Sequence, residues 1–185
     1  MTDKDVLQPK VAWGITGAGH YLSACIELLT ELKSADIFLS EAGKEVLNYY
    51  GWYERLTSSG HSLIQNNGAS CLPVTRLYTG KYDLVVIAPV TSNTIAKMAC
   101  GIADNLITNL FAHAGKCRIP TILLPCDSLA EIESLTPQGK QVSVHTREID
   151  RENIIRLAHW SGVTLANNPK RLKNLLTQYN SERQG

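Results

Sequence analysis

Leu84-Val85-Val86-Ile87-Ala88-Pro89-Val90-Thr91-Ser92-Asn93-Thr94-Ile95-Ala96-Lys97 opens as an unbroken apolar run, passes through a proline into hydroxyl and amide side chains, and continues into a helical pattern. A short apolar run bounded in this way reads as a strand buried on both faces, and such strands belong to parallel sheets covered by helices. A buried strand that empties into a proline-stiffened polar loop at the start of a helix is a layout for holding a polar, phosphate-bearing ligand. Working upstream, Val11-Ala12-Trp13-Gly14-Ile15-Thr16 is a second buried strand, broken by Gly17-Ala18-Gly19. Tyr21, Leu22, Cys25, Leu28, Leu29 and Leu32 then recur at helical spacing. Asp36-Ile37-Phe38-Leu39-Ser40 and the helix at 41–50 repeat the alternation, and residues 57–68 read as loop. Downstream, helices are expected at 93–101 and 104–114, a buried strand at 121–124 after Pro120, and a late strand at 141–144. A helix at 150–159 capped by Asp150, a strand at 163–165 and a final helix from Pro169 follow. Strands alternating with amphipathic helices predict a three-layer α/β/α fold, a doubly wound parallel sheet of Rossmann-like type.

The chain's 185 residues suit one domain spanning 1–185, large enough to bury a core without disulfide or metal support. With 44% hydrophobic and 19% charged residues and no apolar run near the ~20 residues that span a bilayer, a membrane protein is excluded. The first ten residues carry charges of both signs and lack the apolar block of a secretory signal, so a cytoplasmic location is expected. A net charge of +1 without a basic cluster argues against nucleic acid as a partner. The 5 cysteines, Cys25, Cys71, Cys100, Cys117 and Cys126, are odd in number and scattered, as reduced thiols are, and no pair has metal-ligand spacing. No metal is expected.

In a doubly wound sheet the ligand lies beyond the carboxyl ends of the strands, and these ends are 16–20, Ser40, 88–94 and 125–127. The first turn has two glycines of a dinucleotide fingerprint, Gly17 and Gly19, but Leu22 stands where the third belongs, and Ser40 stands where a nicotinamide dinucleotide wants an acid. A mononucleotide fits better. The glycines either admit a phosphate to the helix end or serve only a tight connection. Ser40 either donates to a phosphate or ribityl hydroxyl, or caps the helix that begins at Glu41. Thr91, Ser92, Asn93 and Thr94 carry the same ambiguity, although four such side chains exceed what one cap needs. Asp104-Asn105 reads as a cap. His113 and His145 read as structural, whereas His20 follows the glycine turn at the ligand mouth and Pro125-Cys126-Asp127 ends a strand on the same rim.

Taken together, Thr16-Gly17, Ser40, Ala88-Pro89-Val90-Thr91-Ser92-Asn93-Thr94 and Gly101-Ile102-Ala103-Asp104-Asn105-Leu106 resemble motifs of the flavoprotein superfamily of homo-oligomeric flavin-containing cysteine decarboxylases. The resemblance covers roughly residues 10–127. It implies FMN, bound non-covalently at a subunit boundary in a homo-oligomer built from trimers. The cofactor would lie against Gly17, Ala18, Gly19, Ser40, Ala88, Pro89, Thr91, Ser92 and Asn93. The chain departs from the decarboxylases in lacking a histidine in Leu72-Pro73-Val74-Thr75-Arg76-Leu77. It also has Pro125-Cys126-Asp127-Ser128 where they carry Pro-x-Met-Asn, and it lacks the arginine- and glutamate-rich stretch of the prenyltransferase branch. The opening 12–20, with 38–43 and 124–127, is most similar to the archaeoflavoprotein and dihydromethanopterin reductase branch. That branch implies reduction of dihydromethanopterin to tetrahydromethanopterin through FMN, with a reduced pterin as substrate; the electron donor stays open between a nicotinamide nucleotide and a redox protein. His20 and Asp127 are the candidates for substrate contact or proton delivery. Competing readings are an electron-transfer flavoprotein with a ferredoxin-like partner, and a cysteine decarboxylase or prenyltransferase on the same scaffold.

Overall fold

A computed structural model describes residues 10–65, 72–128, 131–136 and 138–182. Along the chain, β1 (Val11–Ile15) leads to α1 (Leu22–Glu31). Next, β2 (Ala35–Leu39) leads to α2 (Glu41–Tyr49) and the short α3 (Tyr53–Thr57), and β3 (Ser62–Ile64) is followed by a 3-10 segment at Leu72–Thr79. Then β4 (Leu84–Val90) precedes α4 (Ser92–Ala99) and α5 (Leu106–Lys116), and β5 (Thr121–Pro125) precedes β6 (Glu131–Leu135) and β7 (Gln141–His145). α6 (Glu148–Ala158), β8 (Val163–Leu165) and α7 (Pro169–Glu182) follow. Six strands form one sheet in the order β3-β2-β1-β4-β5-β8, parallel throughout. The chain winds outward from β1 on one side and from β4 on the other, so the strand order reverses between them, where a doubly wound sheet opens its ligand crevice.

Side-chain alternation along the strands builds the two faces. Val11, Trp13 and Ile15 of β1 and Val86 and Ala88 of β4 pack with Leu22, Ile26 and Leu29 of α1, Leu47 of α2 and Leu172 of α7. Ala12, Val85 and Ile87 turn the other way, onto Ile95 and Met98 of α4, Ile107 and Leu110 of α5 and Leu157 of α6. The expected α/β/α layering is thus present. All 7 residues of β4 are buried. Each large apolar side chain there contributes roughly 1.5–3 kcal/mol, more than the ~1–2 kcal/mol of backbone entropy lost per ordered residue, so β4 is fixed by burial rather than propensity. No helix among the described residues is long and apolar enough to cross a membrane.

Three expectations are corrected. Part of the 57–68 stretch read as loop is β3, an edge strand of 3 residues in which only Ile64 is buried; its order comes from pairing with β2, which local pattern does not reveal. Residues 66–68 of that stretch lie outside the described residues, as does Cys71. The late strand is β7, but it pairs antiparallel with β6 in a separate ribbon rather than joining the sheet. α6 begins at Glu148, and Asp150 sits inside its first turn as the partner of Arg147 instead of capping it.

The carboxyl end of β4 departs from the regular ladder. Its register with β5 shifts between Ile87 and Val90, the Ala88–Pro89 peptide is cis, and Pro89 has no N–H to donate. Side chains of β1 and the residue after it make up the loss. The Trp13 indole N–H donates to the Ala88 carbonyl at 2.7 Å, and the Thr16 hydroxyl donates to the Pro89 carbonyl at 3.0 Å while accepting from the Thr91 N–H at 3.0 Å. From the other side the Cys126 N–H donates to the Val90 carbonyl at 3.0 Å. Thr16 is 2% exposed, so these groups have no water to replace it. Thr16→Val keeps the shape but strands the Thr91 N–H and leaves the Pro89 carbonyl only the Thr16 N–H at 3.4 Å; it is expected to destabilise the fold by about 1–3 kcal/mol in urea unfolding, whereas Thr16→Ser recovers most of the loss.

Candidate functional site

The loops at the carboxyl ends of β1, β4 and β5 form one rim. In the first turn Ala18 is buried and Gly17 and Gly19 are half-buried. A Cβ added at Gly17 would lie 2.8 Å from the Ala42 Cβ, and one at Gly19 2.5 Å from the Tyr50 hydroxyl oxygen. Neither glycine has a left-handed backbone; they are small because α2 and Tyr50 press against them. The left-handed residue of the turn is Tyr21, at φ 65, which stands at the start of α1 without giving it a side-chain cap, and α1 has no acid in its first turn. Its leading amides therefore have no side-chain acceptor and carry the positive end of the helix dipole.

Neighbouring helices are capped. The Ser40 oxygen accepts from the Gly43 N–H at 3.0 Å at the start of α2. Thr91 accepts from the Thr94 N–H at 3.3 Å at the start of α4, and its hydroxyl lies 2.9 Å from that of Thr94. Asn105 makes a reciprocal capping box with Thr108 at the start of α5, as expected of the Asp104-Asn105 pair, while Asp104 pairs with Lys97 at 2.5 Å. Ser40 and Thr91 thus serve as caps, though each hydroxyl accepts in that role and retains its own O–H. Ala88 and Pro89 are buried, with both carbonyls engaged by Trp13 and Thr16. Asn93 is exposed in the first turn of α4, and its side chain bonds to no other described residue.

The structure brings His20 and Asp127 into one cluster. The Ser92 hydroxyl donates to the Asp127 carboxylate. The His20 ring packs on that of Tyr21 with centroids 3.8 Å apart. Burial lowers the His20 pKa, and Asp127 partly opposes that shift. Burial, followed by the nearby Asp127 charge and a hydrogen bond to it, pushes the Cys126 thiol up to about 12. Tyr21 is raised by burial and then by Cys126. His113 lies elsewhere, hydrogen-bonded to Tyr78 at 2.8 Å, and His145 lies on the ribbon, 4.0 Å from Glu131.

Two contributors escaped the sequence reading. Tyr50 covers Gly19 and donates from its hydroxyl to the Leu135 carbonyl at 3.0 Å, tying the β6–β7 ribbon to the first turn. Only its place on the apolar face of α2 marked it. Arg147, at the start of α6, directs its Nε and Nη2 to Asp150 at 2.8 and 2.7 Å; its pKa is raised by Asp150 first and to a smaller extent by Asp127. Nothing near Arg147 in sequence links it to residue 127.

The profile of the flavoprotein family matches residues 2–180. The chain belongs to that family. This flavoprotein is 36% identical over 177 residues to an uncharacterized protein of Methanocaldococcus jannaschii, covering 92% of this chain and 95% of the relative. It is 38% identical over 141 residues to the dihydromethanopterin reductase (acceptor) of Methanosarcina mazei, covering 69% of this chain and 59% of that one. The chain thus spans little more than half the length of that reductase. Among solved structures it resembles Burkholderia xenovorans DmrB in complex with FMN, described as a cubic protein cage for redox transfer. That likeness has a TM-score of 0.88 and 39% identity, and covers 99% of this chain and 100% of that one. An FMN-dependent UbiX-like decarboxylase from Escherichia coli, 15% identical at a TM-score of 0.66, shares the fold alone.

In this flavoprotein, protonated His20 is disfavoured by burial, so the unfolded chain binds that proton more tightly than the folded one. The stability that depends on neutral His20 is complete above about pH 6.5 and is lost as pH falls toward the lowered folded value. The carboxylates with lowered pKa, Asp36, Asp104 and Asp150, act in a more acidic window, and His113, also lowered, is retained in any His20 variant. His20→Gln is therefore expected to lose less stability than the parent between about pH 7.5 and about pH 5, read from urea midpoints at the two pH values.

Proposed function

We propose that this chain binds FMN and uses it to reduce a dihydropterin, dihydromethanopterin to tetrahydromethanopterin, in biosynthesis of a one-carbon carrier. The observation that carries the reading is the uncapped, acid-free start of α1 in the crevice between β1 and β4, in a chain that superposes on the FMN complex of DmrB over 99% of its length. The donor set fits the cofactor. A phosphate suits the leading amides of α1 behind the Gly17, Ala18 and Gly19 turn, where no side chain caps them. The O–H groups of Ser40 and Thr91 suit phosphate or ribityl oxygens, and the exposed Asn93, which both donates and accepts, suits the edge of the flavin ring. Ala88 and Pro89 would form a wall through the shape of the bulged strand end, since their carbonyls are already engaged. Ser92, fixed by Asp127, would stand between cofactor and substrate.

FMN in its reduced form supplies a hydride equivalent to an imine carbon stacked against it. The chain's part is to orient the imine, shield it from water and bring a proton to its nitrogen. His20 and Asp127 are the titratable side chains of the rim nearest that task. The pterin substrate is favoured by the two curated reductases, 38% and 37% identical, in the regions they share with this chain. By the same reasoning the working form is a homo-oligomer built from trimers with FMN at a subunit boundary, supplied with electrons by a nicotinamide nucleotide or a redox protein.

Holoenzyme reduced anaerobically and mixed with dihydromethanopterin is expected to recover the oxidised flavin spectrum as tetrahydromethanopterin forms. A flavin that stays reduced with the pterin yet is reoxidised by a ferredoxin-like protein would replace this reading with electron transfer. Asn93→Ala is expected to purify with less bound FMN at an unchanged unfolding midpoint, measured as flavin absorbance per chain, because an exposed side chain without a partner contributes little to the fold.

A further inference from the structure

Asp127 lies half-buried at the end of β5 and forms no ion pair among the described residues. The nearest cations are otherwise engaged or suppressed: Arg147 turns its fork onto Asp150, and burial disfavours the charged form of His20. What the carboxylate does receive is the Ser92 O–H, a donor from the start of α4 that fixes one of its oxygens. A carboxylate has about four acceptor sites, so the second oxygen remains for whatever occupies the rim. A half-buried acceptor without a counter-ion favours a ligand that brings N–H donors to it.

A pterin carries such donors. Its pyrimidine ring presents a ring N–H beside an exocyclic amine, two parallel donors at the spacing of two carboxylate oxygens. The imine nitrogen that must gain a proton belongs to the other ring, on the far side of the bicycle. A carboxylate that grips the pyrimidine edge is therefore not the group that protonates the imine.

Building on the dihydropterin reading, we propose that Asp127 is the specificity-determining residue of the site, reading the paired N–H donors of a 2-amino-4-oxo-pyrimidine edge, with Ser92 as its positioning residue. Proton delivery then falls to His20 on the first turn, acting in the imidazolium form that burial disfavours and the Asp127 charge partly restores. The same geometry rejects a lumazine, in which a carbonyl replaces the exocyclic amine and turns an acceptor toward the carboxylate. Rejection of this kind is strong because it leaves polar groups unpaired on both sides.

The test uses FMN-loaded protein and two ligands that differ only at that position, a dihydropterin and the matching dihydrolumazine. Binding is followed by perturbation of the oxidised flavin spectrum and turnover by reoxidation of the reduced flavin. The parent is expected to bind the dihydropterin roughly 10- to 100-fold more tightly than the dihydrolumazine. Asp127→Asn, whose amide presents one acceptor and one donor, is expected to reverse that preference. Asp127→Ala is expected to weaken the dihydropterin without a gain for the dihydrolumazine. Equal binding of the two ligands by the parent, or a fall in kcat for both with no change of preference in Asp127→Asn, overturns the proposal. Failure of the reductase reading shows separately, as binding without reoxidation of the reduced flavin.

Discussion

The site depends on how the buried end of β4 satisfies its backbone. A proline and a register shift there remove regular ladder bonds at a depth where water does not substitute, and unpaired backbone groups in such a place cost about 1–3 kcal/mol each. Trp13 and Thr16 from one side and Cys126 from the other make the replacements. As a result the loops after β1, β4 and β5 do not move independently: each holds a hydrogen bond that another needs. The constraint extends to α2, because Gly17 and Gly19 leave no room between the first turn and Ala42 and Tyr50. A rim built from three loops thereby gains the rigidity of the sheet beneath it.

Much of this was legible in the sequence because it is local. The apolar run into Pro89, the glycine turn after β1 and the polar tetrad at 91–94 each announce themselves within a few residues, and together they locate the crevice before any contact is known. What the sequence conceals is carried by pairings of long separation. β3 has too few buried positions to show a period and exists through β2, and β6 is an exposed strand defined by β7. Tyr50 joins the site by covering Gly19 while bonding the ribbon, and Arg147 by the charge of Asp127 while its fork holds Asp150 in the first turn of α6. The caps at Ser40 and Thr91 needed the structure to be seen, since cap and ligand contact call for the same side chain at the same place.

Those caps carry a division of labour. α2, α4 and α5 each close their first turn with an oxygen from Ser40, Thr91 or Asn105, so their leading amides are already partly satisfied. α1 starts instead at a left-handed tyrosine with no cap and no acid. The capped helices give up one or two leading amides to their caps, whereas α1 gives up none to a side chain, only its Leu22 N–H to the Gly19 carbonyl at 3.2 Å. A left-handed tyrosine is strained by roughly 1–3 kcal/mol, and such strain persists where packing over-determines it. Here the His20 ring tilted against that of Tyr21 and the buried side chain of the next residue, Leu22, supply that packing.

The titration behaviour of the rim limits the chemistry its side chains offer. Covalent catalysis by Cys126 requires a thiolate, and burial beside Asp127 pushes this thiol up to about 12, so near neutral pH it remains protonated. The Ser92 hydroxyl faces a carboxylate rather than an imidazole base, and it donates its hydrogen into a bond that anchors Asp127. His20 is displaced toward its neutral form, which carries one nitrogen lone pair and one N–H. Such a set positions a heterocycle and moves one proton; it does not activate a nucleophile. Bond making at carbon then calls for a bound group with electrons of its own to give, and on the proposed reading a flavin fills that role while residues 20, 92 and 127 orient what it reacts with.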